Sequence, residues 1–217
     1  MNYAQVRDRT LQLLNQYTVA GAAYAPSYNN QEDYLLRIPA LVNDALMEIA
    51  TTYRKINAYT VLDLDGDYED FGNWAKFELP EDFYQFKTGD TFILTAADHA
   101  FRTNLYTISG RKFLLVPKKA LEKGGKYSIT YYRYPRLLDL ANLNDEMTLE
   151  LDNVPETHAA IPFYVAAFLV IHDDSFLYAS FYNKYEDKLA KMMPDISMEV
   201  HPVADDYTFF NSWTYWT

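Results

Sequence analysis

The sequence predicts an α+β protein: a small helical bundle built from the N- and C-terminal halves, an inserted antiparallel β region, and an extended C-terminal arm. Three observations carry that expectation. Apolar residues recur at helical spacing toward both ends; the period changes to two in the middle third; and residues 195–217 sustain no period. The implied domains are residues 1–57, an N-terminal helical half; 58–134, the β insert; 135–193, a connector and the C-terminal helical half; and 194–217, an aromatic arm. Chain ends that pair across an insert are ordinary domain anatomy.

Taken in order, Val6, Thr10, Leu13, Leu14 and Tyr17 are spaced for one face of a short amphipathic helix over residues 3–14, which the Ala-rich stretch before Pro26 ends. Asn29 and Asn30 then precede Gln31, Glu32 and Asp33. Capping side chains and negative charge thus fall where a helix exposes free amides, so a long helix starts there. Its stripe is Ile38, Leu41, Val42, Ala45, Ile49, Tyr53 and Ile56, with Asn43, Asp44, Glu48, Arg54 and Lys55 opposite. Pro39 interrupts it: either the helix kinks, or a first turn ends near Arg37 and a second helix begins with proline.

From Ala58 the segments Tyr59–Leu64, Trp74–Leu79, Phe83–Phe86, Thr91–Leu94, Leu105–Ser109, Arg111–Val116 and Lys126–Arg133 read as short strands. Asp65-Gly66-Asp67, Gly89-Asp90, Ser109-Gly110 and Gly124-Gly125 punctuate them as turns. Turns this short join antiparallel strands only. Residues 135–153 form an irregular connector. Pro155-Glu156 opens a helix to about Asp173 that is apolar on nearly every side and belongs at a bundle centre. A second helix, from about Ser175 to Met193, carries Tyr178, Phe181, Tyr182, Tyr185, Leu189 and Met192 on one face, and its Asp187 and Lys191 are placed to pair one turn apart.

Composition narrows the function. The 217 residues carry 19 Lys and Arg against 30 Asp and Glu, a formal net charge of −11, which argues against a protein that coats duplex DNA. There is no cysteine, so disulfides, thiolate zinc sites and cysteine nucleophiles are excluded. A 49% hydrophobic content is enough for a real core. The first residues lack the apolar run of a signal peptide, and the uncharged stretch from Thr157 to Ile171 is too short to cross a bilayer, so a cytoplasmic product is expected. Aromatics reach 17%, with 20 Tyr and 13 Phe. Tyr tolerates half-wet boundaries and is frequent at interfaces, though a strand-rich core that favours Tyr accounts for the number equally well.

The candidate sites are few. Asp63-Leu-Asp65-Gly-Asp67-Tyr-Glu69-Asp70 alternates oxygen ligands, but Tyr68 and Trp74 stand where a helix–loop–helix calcium site needs glycine and glutamate, so a solvated acidic hairpin turn is expected. On one helix His158 and His172 lie about 21 Å apart and cannot share a metal. They read as a helix-start and a helix-end residue, where a cation suits the dipole. His172-Asp173-Asp174 has no nucleophile elbow, phosphate loop or coupled carboxylate pair beside it, so no enzyme, cofactor or metal is expected. Lys118, Lys119, Lys123 and Lys126 surround the Gly124-Gly125 turn and could form a rim touching phosphates, or simply a solvated hairpin tip. In the arm, Phe209, Phe210, Trp213, Tyr215 and Trp216 would be sticky if left in water. They suit anchors placed on another subunit, in pockets or by adding a strand to an open sheet edge.

The order of parts resembles a known family. Leu79-Pro-Glu-Asp-Phe83, the hairpin Ile108–Pro117, the strand Ile129–Pro135, Asn153–Pro162 leading into an Ala-rich helix, Asp173-Asp174 and Phe181–Glu186 together resemble the head-to-tail adaptor (connector) proteins of tailed bacteriophages, including the tail tubular type, over about residues 30–193. The resemblance implies a virion structural protein assembled in the host cytoplasm. A ring of copies, typically twelve, would dock beneath the portal and contact tail proteins, and DNA would pass through without sequence specificity or any membrane. Two rivals stand beside it: a tail-completion or tail-tube capping protein, and a monomeric carbohydrate-binding module that stacks its Tyr-rich sheet on sugars.

Overall fold

The computed structural model describes residues 1–14, 30–63, 68–94, 100–102, 106–121, 126–149 and 155–192. These form a mixed α+β structure in two compact units, one gathering Met1–Ile56 with the described residues of 135–192, the other holding the described residues of Asn57–Tyr134. The arm residues, Lys123, and the Asp65-Gly66-Asp67 and Gly124-Gly125 turns lie outside the described residues.

In the helical unit, α1 (Tyr3–Leu13) opens with a reciprocal cap. Asn2 Oδ1 accepts from the Gln5 amide at 2.9 Å, and Gln5 Oε1 accepts from the Asn2 amide at 3.0 Å. The long helix α2 (Asn30–Glu48) starts at a residue read as a cap, with Glu32 and Asp33 in its first turn. It continues through Pro39 and does not restart there. Proline leaves the carbonyl four residues earlier without its donor, and that residue, Leu35, is on the exposed side where water can serve it. From Ile49 to Tyr53 the hydrogen bonding widens into a π-helical turn, closed by the Arg54 amide on the Ile49 carbonyl at 2.7 Å. Arg54 is extended, so Ile56 does not complete the helical stripe as expected; it opens the first strand.

The apolar helix α4 (Pro155–Val170) packs against α1, α2 and α5 (Ser175–Met192). Ala160, Ile161, Val165, Ala166, Ala167 and Leu169 are all buried, which explains why it has no polar face. Burying each Ile or Leu is worth about 1.5–3 kcal/mol. Asp174 caps α5, its Oδ1 accepting from the Phe176 and Leu177 amides at 2.9 Å each, and Lys191 pairs with Asp187 at 2.6 Å. The irregular connector is held to both ends of the unit. Asn43 on α2 donates to the Leu138 carbonyl at 3.1 Å and accepts from its amide at 2.8 Å. The amides of Tyr3 and Ala4 donate to the carbonyls of Met147 and Asp145, and Arg7 meets Asp145 at 2.6 Å.

The β unit contains two four-stranded sheets. One has the order β1 (Ile56–Asp63), β8 (Lys126–Arg133), β4 (Phe83–Leu94), β5 (Ala100–Arg102); the other β2 (Glu69–Phe71), β3 (Trp74–Glu78), β7 (Phe113–Pro117), β6 (Thr107–Ser109). Every described register is antiparallel. Ala75 opposes Val116 and Phe77 opposes Leu114, all four buried. They join Leu79, Phe83, Phe86, Ile129 and Tyr131 in one core, so inward faces of both sheets share it. The Tyr131 hydroxyl donates to Asp82 at 2.9 Å.

Four strand expectations need correction. Phe83–Phe86 and Thr91–Leu94 are one strand, because Gly89-Asp90 is no turn: the register against β8 shifts between Phe86 and Thr91, a bulge of the kind interior glycine permits. The second hairpin strand begins later than expected because Gly110 and Arg111, both at φ 60°, with the Lys112 amide donating to the Ser109 carbonyl, spend residues 110–112 on a mirror-image turn. The acidic stretch is no turn at Glu69 and Asp70, which form β2 beside Lys76 and Lys118. Lys118–Leu121 is a short helix, α3, where a hairpin tip was expected.

Candidate interaction surface

Most of the tyrosine excess in the helical unit serves neither a strand core nor a surface. Tyr53, at the end of the π-helical turn, and Tyr164, Tyr178, Tyr182 and Tyr185 on α4 and α5 are linked with Phe168 in a chain of ring contacts, with the touching rings' centroids 4.5–6.3 Å apart. Two carboxylates face the hydroxyls: Tyr185 donates to Glu48 and Tyr53 to Glu186, each at 3.3 Å. Burial, reinforced by these negative charges, pushes the Tyr182 phenol up to about 12 and raises Tyr53, Tyr164 and Tyr185 as well. The phenols therefore stay protonated as donors, which makes the cluster a clamp between the end of α2 and the last two helices. The helical spacing of 178, 181, 182 and 185 was readable. The carboxylate partners were not, because Glu48 had been placed on the polar side of its helix.

Apolar side chains left in water form a different set. Leu36 and Phe176 are about 80% exposed, and Leu35 and Leu177 accompany them. All four lie where α2 begins and α5 begins, since Arg37 donates to the Phe168 carbonyl at 3.3 Å and Tyr34 feels the charge of Asp173. Sequence reasoning passed over them. Leu36 and Phe176 each sit two residues ahead of a stripe position, on the opposite side of an ideal helix, and that off-stripe placement was the available signal. In the β unit, Tyr59 on β1 and Phe71 on β2 are exposed as well.

The lysines of the expected rim are only partly brought together. Lys118 opens α3 and is neutralised by Asp70 at 2.6 Å, an interaction that also lowers the Asp70 carboxyl below its usual range. Lys119 and Lys126 are exposed. His158 sits in the first turn of α4, the helix-start place expected, where burial pushes its imidazole below the ordinary value; His172 is exposed in the turn after α4. A shallow groove of about 690 Å³ runs beside His158 between α1, Phe163 of α4 and Lys188 of α5. Among the described residues no three His, Cys, Asp or Glu side chains converge to hold a metal ion, and no helix is long and apolar enough to cross a membrane. What the described surface offers chemically is exposed apolar area at Leu36 and Phe176 and the exposed lysines Lys119 and Lys126.

Comparison with known proteins gives a matching result. Curated proteins return no match. The family described as SU10 adaptor protein matches residues 1–205, leaving Phe209, Phe210, Trp213, Tyr215 and Trp216 beyond the matched span. A match over nearly the whole length shows the relationship: the chain belongs to the SU10 adaptor protein family of structural phage head-to-tail adaptors.

Proposed function

We propose that copies of this protein form a closed ring that docks beneath the phage portal, contacts tail proteins below it, and lines the channel through which DNA passes. The family match over residues 1–205 is the observation that carries the reading. Physical arguments support it. Head-to-tail contacts close into rings when the rotation between copies allows. The formal charge of −11 keeps a channel wall from holding phosphates. Exposed Leu36 and Phe176 are natural contact area for a neighbour. Lys119 and Lys126, with Lys118 and Lys123, are the residues to touch phosphates in passing, and Phe209, Phe210, Trp213, Tyr215 and Trp216 are the anchors of the arm.

The test is a negative-stain image of the protein mixed with its portal. Rings seated on the portal are expected. Portals that remain bare, with the adaptor unassembled, would overturn the reading. The same mixture with residues 207–217 deleted should lose the complex, and unchanged complex formation would remove the anchor role of the arm.

A further inference from the structure

The apolar face where α2 and α5 begin is ringed by acid. Leu35, Leu36, Phe176 and Leu177 are exposed, and Glu32, Asp33, Asp173 and Asp174 are exposed beside them in the chain. Arg37, the one cation in residues 30–37, is already paired with Asp33 at 3.4 Å. Two copies of this face repel each other, because a two-fold contact would set their carboxylates in opposition. A surface that covers it must bring apolar area and positive charge together.

The chain itself presents such a surface. At the β2–β3 hairpin the charges are acidic, Glu69 and Asp70, and each is taken up by a lysine, Lys76 and Lys118. At the β6–β7 tip Ile108, Arg111 and Lys112 are exposed, and neither cation forms an ion pair among the described residues. Arg111 is also the one non-glycine residue at positive φ among them. A position that glycine would fill with less strain thus holds an unpaired cation at an exposed tip. We propose that the β6–β7 tip of one copy docks on the α2–α5 face of the next, Ile108 against Leu36 and Phe176, Arg111 and Lys112 against Glu32 and Asp173. The two surfaces differ, so the contact is head-to-tail, the kind that closes a ring. It rests on the ring reading and names the faces that meet in it. One tip covers far less than the roughly 1,200 Å² of a stable pair, so the contact is weak between two free chains and gains strength by repetition around a ring.

Because the chain has no cysteine, disulfide trapping reports the contact. Full-length Phe176→Cys is mixed with full-length Ser109→Cys, which keeps both cations, or with Asn73→Cys at the β2–β3 tip. The paired chains carry tags of different size, circular dichroism checks that each variant is folded, and mild oxidation with and without the portal is followed by non-reducing electrophoresis. Mixed dimers through Ser109→Cys should exceed those through Asn73→Cys by about fivefold, and the excess should shrink from about 0.1 M to about 1 M salt, where the screening length falls from about 10 Å to about 3 Å. Arg111→Glu with Lys112→Glu on the Ser109→Cys chain should abolish the excess, and Glu32→Lys with Asp173→Lys on its partner should restore it. Equal yields at the two tips, an excess indifferent to salt, loss without rescue, or links formed only within a chain carrying both cysteines would each overturn the contact. If trapped dimers are absent while rings still seat on the portal, the contact fails and the ring reading stands; charge-dependent dimers beside bare portals give the reverse.

Discussion

The two units use aromatic residues in opposite ways. On the helices, five tyrosines and Phe168 are packed ring to ring, with hydroxyls turned toward Glu48 and Glu186. In the β unit, Phe83, Phe86 and Tyr131 join the core, but Tyr59, Tyr68 and Phe71 are exposed. Charge divides the same way. Residues 57–134 carry 10 Lys and Arg against 11 Asp and Glu, nearly neutral, whereas the rest of the chain carries 9 against 19. A long helix beside another gives a tyrosine both a ring partner and a polar one. In the β unit Tyr68 has a ring partner in Phe77 at 5.8 Å and still stays exposed, as Tyr59 does on β1.

The difference is sharpest in stability. Tyr185 is fully buried among four aromatic or carboxylate partners, so Tyr185→Ala should cost about 4 kcal/mol, read as a shift in urea unfolding followed by far-UV circular dichroism. Leu114 is equally buried in the smaller β core, and Leu114→Ala should cost about 3 kcal/mol, followed by the fluorescence of Trp74 in a chain whose Trp213 and Trp216 are replaced by Phe. A Tyr185→Ala loss below 1.5 kcal/mol, taken as a rough floor for such truncations, would show the ring cluster to be loosely packed.

Alkaline titration separates the units next. Phenols ionise near pH 10 in an unfolded chain. Tyr182 waits until about 12 in the fold, chiefly through burial, and Tyr53, Tyr164 and Tyr185 shift the same way; in the β unit Tyr131 is pushed up to about 12, by burial and then by Asp82. Below the unfolded value the stabilisation is fully present. Above it the unfolded chain releases protons first, so stability falls as pH rises toward 12. The circular dichroism signal should weaken more steeply than Trp74 fluorescence between about pH 10 and 12, and Tyr182→Phe should flatten it. Equal slopes would mean that the tyrosine cluster is not where the phenols are held.

How much of this was legible follows from the range of the interactions. The caps at Asn2 and Asp174, the stripes of α2 and α5 and the Asp187–Lys191 pair depend on residues three or four apart, and their elements were readable from spacing. Gly89-Asp90 misled because the same dipeptide serves a turn or a bulge, and only the partner strand β8 decides between them. β2 was hidden because its three residues are all exposed and owe their pairing to β3. The clasp of Asn43 on Leu138 joins residues 95 apart and leaves no local trace. Tyr and Phe counts announced a contact-rich protein, but which rings meet Glu48 and which meet water is a tertiary fact.

A smaller effect probes the entry to α5. Asp174 serves two amides of the first turn, so Asp174→Ala should destabilise the helical unit by about 1 kcal/mol, with Asp174→Asn recovering most of it. Phe176, exposed just beyond this cap, stays presented to a partner only while the first turn holds. Loss of portal complexes by Asp174→Ala but not by Asp174→Asn would tie the cap to the contact surface.

The smallest effect has the opposite sign. Arg111 occupies the second central position of the β6–β7 turn at φ 60°, a conformation that costs an L-residue about 1 kcal/mol relative to glycine. Gly110, at the first position, meets nothing within 4 Å, so the turn is open to solvent and shape does not demand a large side chain. Arg111→Gly should therefore stabilise the β unit, by about 0.5 kcal/mol once the greater freedom of glycine in the unfolded chain is subtracted. Trp74 fluorescence in urea measures it. A stabilised variant that assembles less well would show that the charge at this tip is kept for contact at the expense of the fold, the same division of labour that leaves Tyr59 in water and Tyr185 in the core. A destabilised variant would mean that the Arg111 side chain holds the hairpin in a way its exposure does not suggest.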